Sequence, residues 1–385
     1  MRNFQYRTPT KMIFGQGVVK QLPEVMESLG HRVLLCYGGG SIKKSGLYDE
    51  VIALLKDFTV IELSGIEPNP RYSSVQKGVE LCREHQVEVI LAVGGGSVID
   101  CAKVIAAGAL YEGEAWDFLA HTAKVQKALP LVDILTLAAT GSEFDGACVI
   151  SRPESCEKTG MMSPHVYPTV SLMDPCYTYT VSPLQTAAAC ADAMSHVMEQ
   201  YFVAESTMLN DGFCEATLKS LMANTKKALA NPLDYTARAE LMQACAYGCN
   251  GILSLGNSSS RWPCHGLEHA LSGFYDIAHG VGLAIVTPRW MEHVLNSQTI
   301  PRFAQYGRQV FGLQDGSQEQ LATQAIQATY DFFEEIGLPM HLTQVGIDDS
   351  RLPEMAQHIA DTEGLSGAYC PLEYQDILQI LQKSL

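Results

Sequence analysis

Long apolar runs are missing from this chain: no uninterrupted stretch is long enough to span a bilayer, so a membrane-spanning helix is not expected. Basic residues are scarce, 26 Lys and Arg against 42 Asp and Glu, for a formal net charge of −16. That balance argues against nucleic acid or an anionic membrane surface as a partner. No CxxC pair occurs among the 12 cysteines. Most lie in apolar or helical stretches (Cys36, Cys82, Cys101, Cys190, Cys245), where they read as reduced, small hydrophobes of a cytoplasmic protein. The segment Met1-Arg2-Asn3-Phe4-Gln5-Tyr6-Arg7 has no apolar h-region, so export by a signal peptide is not expected. Internal repeats and low-complexity segments are absent as well.

What is present is an ordinary globular composition, 47% hydrophobic and 18% charged, long enough at 385 residues for two cores. The two halves differ in period. Up to residue 182, short apolar runs alternate with helical stretches: candidate strands 33–37, 60–63, 89–93, 134–137 and 170–173, with helices over 45–55 and 74–85. This pattern predicts an α/β dinucleotide-binding domain, a parallel sheet with helices on both faces. From Pro183 onward the strand signal fades, and helices are predicted over 183–201, 210–228, 237–252, 266–271 and further on. In the second of these, Phe213, Leu218, Leu221, Met222 and Leu229 are expected to share one apolar face. Ser182 reads as an N-cap and Pro183 as a first-turn residue. The expected division is therefore 1–182, α/β, and 183–385, all helical.

Two triple glycines, Gly38-Gly39-Gly40 and Gly94-Gly95-Gly96, each follow a strand and precede a helix. Glycines let a backbone approach a diphosphate, and the free N–H groups of a helix start attract its charge. The spacing is not GxGxxG, and a tight strand-to-helix turn that binds nothing has the same local pattern. After the first strand comes Gly38-Gly39-Gly40-Ser41-Ile42-Lys43-Lys44, with no carboxylate until Asp49. Without an acid to bond the ribose, and with Ser41 and two lysines to meet a 2′-phosphate, the loop favours NADP(H) over NAD(H).

The second half carries candidate metal ligands. Asp192 and His196 are four residues apart in a helical stretch, hence on one face. His265, His269 and His279 follow within fifteen residues. One carboxylate and two or three imidazoles suit a divalent first-row metal such as Fe²⁺ or Zn²⁺. Spacing alone leaves either two of the three later histidines, or all three, as ligands. Together with the glycine loops, the set points to a metal-assisted dehydrogenase.

The segment from His265-Gly266-Leu267-Glu268-His269 through His279-Gly280 resembles the histidine region of the iron-dependent (group III) alcohol dehydrogenases. The segments 65–70, 92–100, 139–143 and 174–180 also resemble that family, in its order and over nearly the whole chain. The 37–44 loop resembles in particular its NADPH-dependent butanol dehydrogenase and aldehyde reductase branch.

The resemblance implies that Asp192, His196, His265 and His279 hold the metal. His269 is then an unligated histidine near the nicotinamide and substrate, placed to relay a proton. It implies further that Gly39, Gly40 and Ser41 meet the adenosine phosphate end of the cofactor, with Asn69 nearby. Gly95, Gly96, Ser97 and Asp100 match the diphosphate region, while Thr136, Thr140, Lys158 and Tyr179 match residues toward the ribose and nicotinamide. It also implies a dehydroquinate-synthase-like architecture, an active site between the domains, and a homodimer.

The expected function is reversible hydride transfer between NADP(H) and small aldehydes or primary alcohols of the butyraldehyde and butanol kind. Asp145 stands where close NADPH-dependent members of that family often carry asparagine. Phe144 is bulkier than its counterparts, and Met161 and Met162 are further candidates to reach the pocket, so the substrate is a separate question. A glycerol-dehydrogenase-like enzyme is one alternative. A dehydroquinate-synthase-like lyase is disfavoured because it calls for glutamate at Asp192 and a dense basic cluster. A catalytically silent relative is disfavoured because all four ligands and both glycine loops are present.

Overall fold

The computed structural model describes residues 1–385. The chain forms two compact units, Arg7–Val181 with Pro232–Asn250, and Met1–Tyr6 with Ser182–Asn231 and Gly251–Leu385.

The first unit is built on a parallel sheet of six strands. These are β1 (Lys11–Phe14), β2 (Arg32–Tyr37), β3 (Thr59–Leu63), β4 (Val89–Gly94), β5 (Leu131–Leu135) and β8 (Val170–Met173), in the order β1-β8-β5-β4-β2-β3. Strands β6 (Ala147–Arg152) and β7 (Glu157–Met162) form a separate antiparallel hairpin. The central strands are apolar on both faces because both are covered. Leu34, Cys36, Ile90 and Ala92 pack on one side, against Ile99, Ala102 and Ile105 of the Gly96–Gly108 helix. Val33, Leu35, Tyr37, Val89, Leu91 and Val93 pack on the other, with Leu22, Leu47 and Val51. From β2 the chain passes to β3 on one side, whereas from β4 it passes to β5 on the other. The neighbouring ends at Tyr37 and Val93, paired in register, therefore open a crevice at the carboxyl edge of the sheet.

Local differences from the sequence reading have physical causes. The strand expected over 134–137 runs Leu131–Leu135, because the buried Asp133 in its middle is paired to the Ser171 hydroxyl at 2.7 Å. Thr136 and Leu137 fall in the following loop. The helix expected over 237–252 runs Tyr235–Gly248, and Met242 and Ala246 on it pack into the sheet core.

The second unit has helices and short 3-10 turns and no strand of its own. Ser182 caps the Pro183–Tyr201 helix by accepting from Gln185 N at 3.2 Å. Residues Ala189–Tyr201 of that helix are buried all round, so it is a core helix. The next helix, Met208–Ala230, buries Cys214, Leu218, Leu221, Thr225 and Ala228. Phe213 is 44% exposed, a correction to its expected place on the buried face: the stripe runs through Cys214 instead, one residue and about 100° round the helix. No helix of the chain is long and apolar enough to cross a membrane.

Candidate metal centre and nucleotide edge

Three imidazoles converge on one carboxylate oxygen in the helical unit. Asp192 and His196 lie one turn apart on the Pro183–Tyr201 helix, with His196 Nε2 3.6 Å from Asp192 Oδ1. The Pro263–Tyr275 helix brings His265 Nε2 to 3.9 Å from the same oxygen. His279, the first residue of the His279–His293 helix, brings its Nε2 to 3.5 Å. The ligating atoms of Asp192, His265 and His279 all lie within 4.8 Å of one another, and the His196 ring stacks on His265 with centroids 4.6 Å apart. Asp192 Oδ1 and His265 Nε2 are buried without a hydrogen-bond partner. Donors about 2.0–2.2 Å from a common ion stand about 3–3.6 Å apart, so this cage fits a small divalent cation after a slight contraction. The donor set of nitrogen and carboxylate oxygen, without thiolate, fits Fe²⁺ or Zn²⁺.

Two carboxylates absent from the sequence reading hold the outer face of the cage. Glu199 Oε2 pairs with His265 Nδ1, and its Oε1 accepts from Cys264 N at 2.6 Å. Glu268 Oε2 pairs with His279 Nδ1, and its Oε1 accepts from the Ser272 hydroxyl. Each engages Nδ1 and turns Nε2 inward, where a cation would take the place of any proton, and also raises the basicity of the ring. A Cβ on Gly282 would come within 2.8 Å of Glu268 Cγ, so that glycine makes room for the second of them. Helical spacing would set Glu199 beside His196 and Glu268 beside His265; their actual partners, His265 and His279, lie on other helices, so local spacing did not reveal them.

The charges follow from burial set against these neighbours. Burial opposes ionisation of Asp192, but His196, His279 and His265 outweigh it and hold the carboxyl well below its usual range. Burial lowers His196 to about 3, against the pull of Asp192. Burial also disfavours a charged His265, yet Glu199 and Asp192 prevail and raise it to about 9. His269 stands apart from this convergence. Its ring centroid is 6.2 Å from that of His265 and 5.9 Å from that of His279, and its Nδ1 lies 3.9 Å from Glu363 Oε1.

At the carboxyl edge of the sheet, Gly39 and Gly40 follow β2, and Gly40 has φ +106°, where a side chain would be strained. The Gly96–Gly108 helix begins beside them in the crevice, with Gly95 as N-cap and no side chain capping its free N–H groups. That leaves donors for an anion. A Cβ on Gly95 would stand 3.0 Å from Leu137 Cβ, and one on Gly96 would overlap the Thr140 side chain. Ser97, Thr136 and Thr140 lie in or beside these turns, and Asn69 follows β3 with φ +51°. Lys158 is buried on β7, and Tyr179 accepts from the Cys176 thiol at 3.7 Å. Asp100 uses both oxygens within the protein, accepting from the Ser142 hydroxyl at 2.6 Å and Val149 N at 2.9 Å. It thereby ties the helix start to the 141–143 turn and the hairpin.

Comparisons with known proteins cover both parts of the chain. Residues 9–175 match the model of the iron-containing alcohol dehydrogenases, and residues 186–385 match the C-terminal model of the Fe-containing alcohol dehydrogenase family. The chain belongs to the iron-containing alcohol dehydrogenase family. It is 46% identical over 389 residues to the NADH-dependent butanol dehydrogenase A of Clostridium acetobutylicum, covering 100% of both chains. It is 38% identical to the NADPH-dependent aldehyde reductase YqhD of Escherichia coli, covering 94% of each. The crystal structure of NADH-dependent butanol dehydrogenase A from Thermotoga maritima matches with a TM-score of 0.95 at 38% identity, covering 100% of this chain and 99% of that one. Iron-containing alcohol dehydrogenases bind a divalent metal and a nicotinamide cofactor.

In this family member the 38–44 loop has a neighbour that chain order conceals. Glu62 arrives on β3, opposite Leu35, and accepts from the Tyr37 hydroxyl at 2.6 Å and the Tyr48 hydroxyl at 2.8 Å. Lys43 Nζ lies over both rings, 5.1 Å and 4.5 Å from their centroids. The residues considered for the substrate pocket are placed as follows. Asp145 is buried against Lys103 Nζ at 2.8 Å, and Phe144 packs on Tyr247. Met161 belongs to the sheet core, and Met162 is 74% exposed.

Proposed function

We propose that this chain carries out reversible hydride transfer between NADP(H) and small aldehydes or primary alcohols of the butyraldehyde and butanol class. The observation that carries the reading is the convergence of three imidazole Nε2 atoms on Asp192 Oδ1 in a chain that also presents a nucleotide edge. Asp192, His196, His265 and His279 would hold one Fe²⁺ or Zn²⁺. When bound, such a cation supplies Lewis acidity, which polarises a carbonyl or lowers the pKa of an alcohol.

The chain's own residues do the remainder. Glu199 and Glu268 hold the His265 and His279 rings with Nε2 toward Asp192. Gly95, Gly96 and Ser97 offer backbone donors to the diphosphate, and Asp100 holds their turn through Ser142. Asn69, Thr136, Thr140, Lys158 and Tyr179 line the path from the adenosine end toward the nicotinamide. His269 takes the hydroxyl proton during oxidation and returns it during reduction. Gly39 and Gly40 leave space for a 2′-phosphate, with Ser41 as donor and Lys43 and Lys44 as countercharge.

One observation favours NAD(H) as the second reading. Glu62 accepts from both tyrosines over whose rings Lys43 lies, and the relative at 46% identity is NADH-dependent by name. The reading also carries a homodimer in the cytoplasm, where twelve cysteines outside any disulfide stay reduced.

The experiment is oxidation of NADPH by butyraldehyde, beside NADH, before and after chelation and after separate restoration with Fe²⁺ or Zn²⁺. NADPH-selective, metal-restored turnover is expected. Equal or better rates with NADH would remove the 2′-phosphate argument and leave the dehydrogenase. No turnover with either cofactor and any metal would overturn the reaction itself.

A further inference from the structure

Glu363 plays no part in the chemistry above, yet its place is unusual for a carboxylate. It follows directly on the Leu352–Thr362 helix. Its aliphatic stem lies flat on the Pro263–Tyr275 helix: a Cβ on Gly266 would stand 3.3 Å from both Cβ and Cγ of Glu363. A side chain at 266 would press on this stem and on Leu365, so Gly266 keeps the approach close. Gly266 precedes His269 by three residues, so the two share a helix face. On that face Glu363 Oε1 reaches to 3.9 Å from His269 Nδ1. Only 26% of the Glu363 side chain is exposed, against 17% for His269. Burial raises its carboxyl to about 7, with Glu268 acting in the same sense and Arg261 and His265 opposing. A surface ion pair would not need a missing Cβ on the facing helix or so deep a seat.

We propose that Glu363 is the positioning carboxylate of His269. Drawn toward Oε1, the ring keeps its proton on Nδ1 and leaves Nε2 as the basic atom. During alcohol oxidation the O–H bond breaks and its proton passes to Nε2, while the hydride leaves carbon for the nicotinamide. The resulting imidazolium is stabilised by the Glu363 carboxylate, whose ionised form the positive ring favours, and then yields the proton to water. The 3.9 Å approach tightens as the ring takes up charge, as catalytic hydrogen bonds do when the reacting complex forms. The inference rests on the reading of His269 as the proton carrier.

The test uses metal-loaded protein and four variants: Glu363→Gln, Glu363→Asp, His269→Ala, and Glu363→Gln combined with His269→Ala. Glu363→Gln should lower kcat about tenfold with little change in KM, full metal content and an unchanged unfolding temperature. Glu363→Asp, which keeps the charge, should recover part of that loss. In the His269→Ala background, Glu363→Gln should cost nothing further, because the carboxylate acts only through the ring. Equal losses in both backgrounds, an unchanged kcat, or lost metal in Glu363→Gln would each overturn the inference. If Glu363→Gln does not fold, Glu363→Asp in the two backgrounds supplies the same comparison. A His269→Ala protein turning over at the wild-type rate is a separate result: it removes the reading of His269 itself.

Discussion

Gly280 backs so closely onto Ala188 that a Cβ added to it would overlap the Ala188 carbonyl oxygen. Gly280 follows His279 directly, and Ala188 lies one turn before Asp192. The missing side chain therefore lets the two helices approach until His279 Nε2 is 3.5 Å from Asp192 Oδ1. Gly280→Ala has to push them apart, a strain of about 1–3 kcal/mol. A constellation held to within about 0.5 Å does not survive that. Competition against a chelator should show metal affinity at least tenfold weaker, with a lowered unfolding temperature. Wild-type affinity in that variant would mean that the helices slide without disturbing the ligands.

Glu268 is fully buried and divides its oxygens between His279 and Ser272. Glu268→Gln keeps the shape but can present an N–H to His279 Nδ1, which moves the ring proton to Nε2 and blocks the ligating atom. Calorimetric titration with Zn²⁺ should find affinity reduced about 10–100-fold. An unchanged affinity would show that His279 is oriented by its helix alone.

The buried pairing of Asp145 points to stability rather than substrate choice. Lys103 has no exposed surface; it donates to Asp145 at 2.8 Å and to the Ala147 carbonyl at 2.7 Å. Asp145→Asn leaves a buried ammonium with a weakened partner set, at a cost of about 3–5 kcal/mol in urea unfolding. Adding Lys103→Met should restore most of the loss. The KM for butyraldehyde in the double variant should stay at the wild-type value. A large KM change with unaltered stability would return Asp145 to the pocket.

Glu143 gives a pH dependence with a definite sign. Neither of its oxygens has a hydrogen-bond partner and none of its surface is exposed. Burial, reinforced by Asp145 and Asp100 and opposed by Lys103, raises it to about 7. Between its ordinary pKa near 4.5 and that value, the folded protein keeps a proton the unfolded chain has released. Stability therefore falls as pH rises through the window. Glu143→Gln abolishes the titration, so its unfolding free energy relative to wild type should grow by up to about 3 kcal/mol from pH 4 to pH 8. A difference independent of pH would mean that Glu143 is ionised or neutral throughout.

Much of this was written in the local pattern. The apolar runs of β2 and β4, the glycines at their ends and the cap at Ser182 are short-range signals, and they appear in the structure where chain order put them. The convergence on Asp192 was partly legible, since a four-residue spacing brings Asp192 and His196 together on one helix. The distances from Asp192 to His265 and His279 depend on helix packing and on Gly280. Glu62 was hidden for a different reason: it reaches Tyr37 across the sheet, so reading forward along the loop finds only Asp49. Strands β1, β6 and β7 escaped because each is short or carries charge, as in Glu157 and Lys158, and the apolar alternation is broken. Asp133 masked the start of β5 in the same way.

The Tyr235–Gly248 helix also bears on synthesis. Its Met242 and Ala246 complete a core whose other members are mostly made before residue 174, while Met1–Tyr6 groups with helices translated much later. Neither unit corresponds to one continuous stretch of message. The sheet unit is complete only once residue 250 has been made, and the opening six residues meet their own unit later still. A clone ending at residue 182 would lack part of its own interior; a faithful excision of the sheet unit would need 232–250 spliced back on.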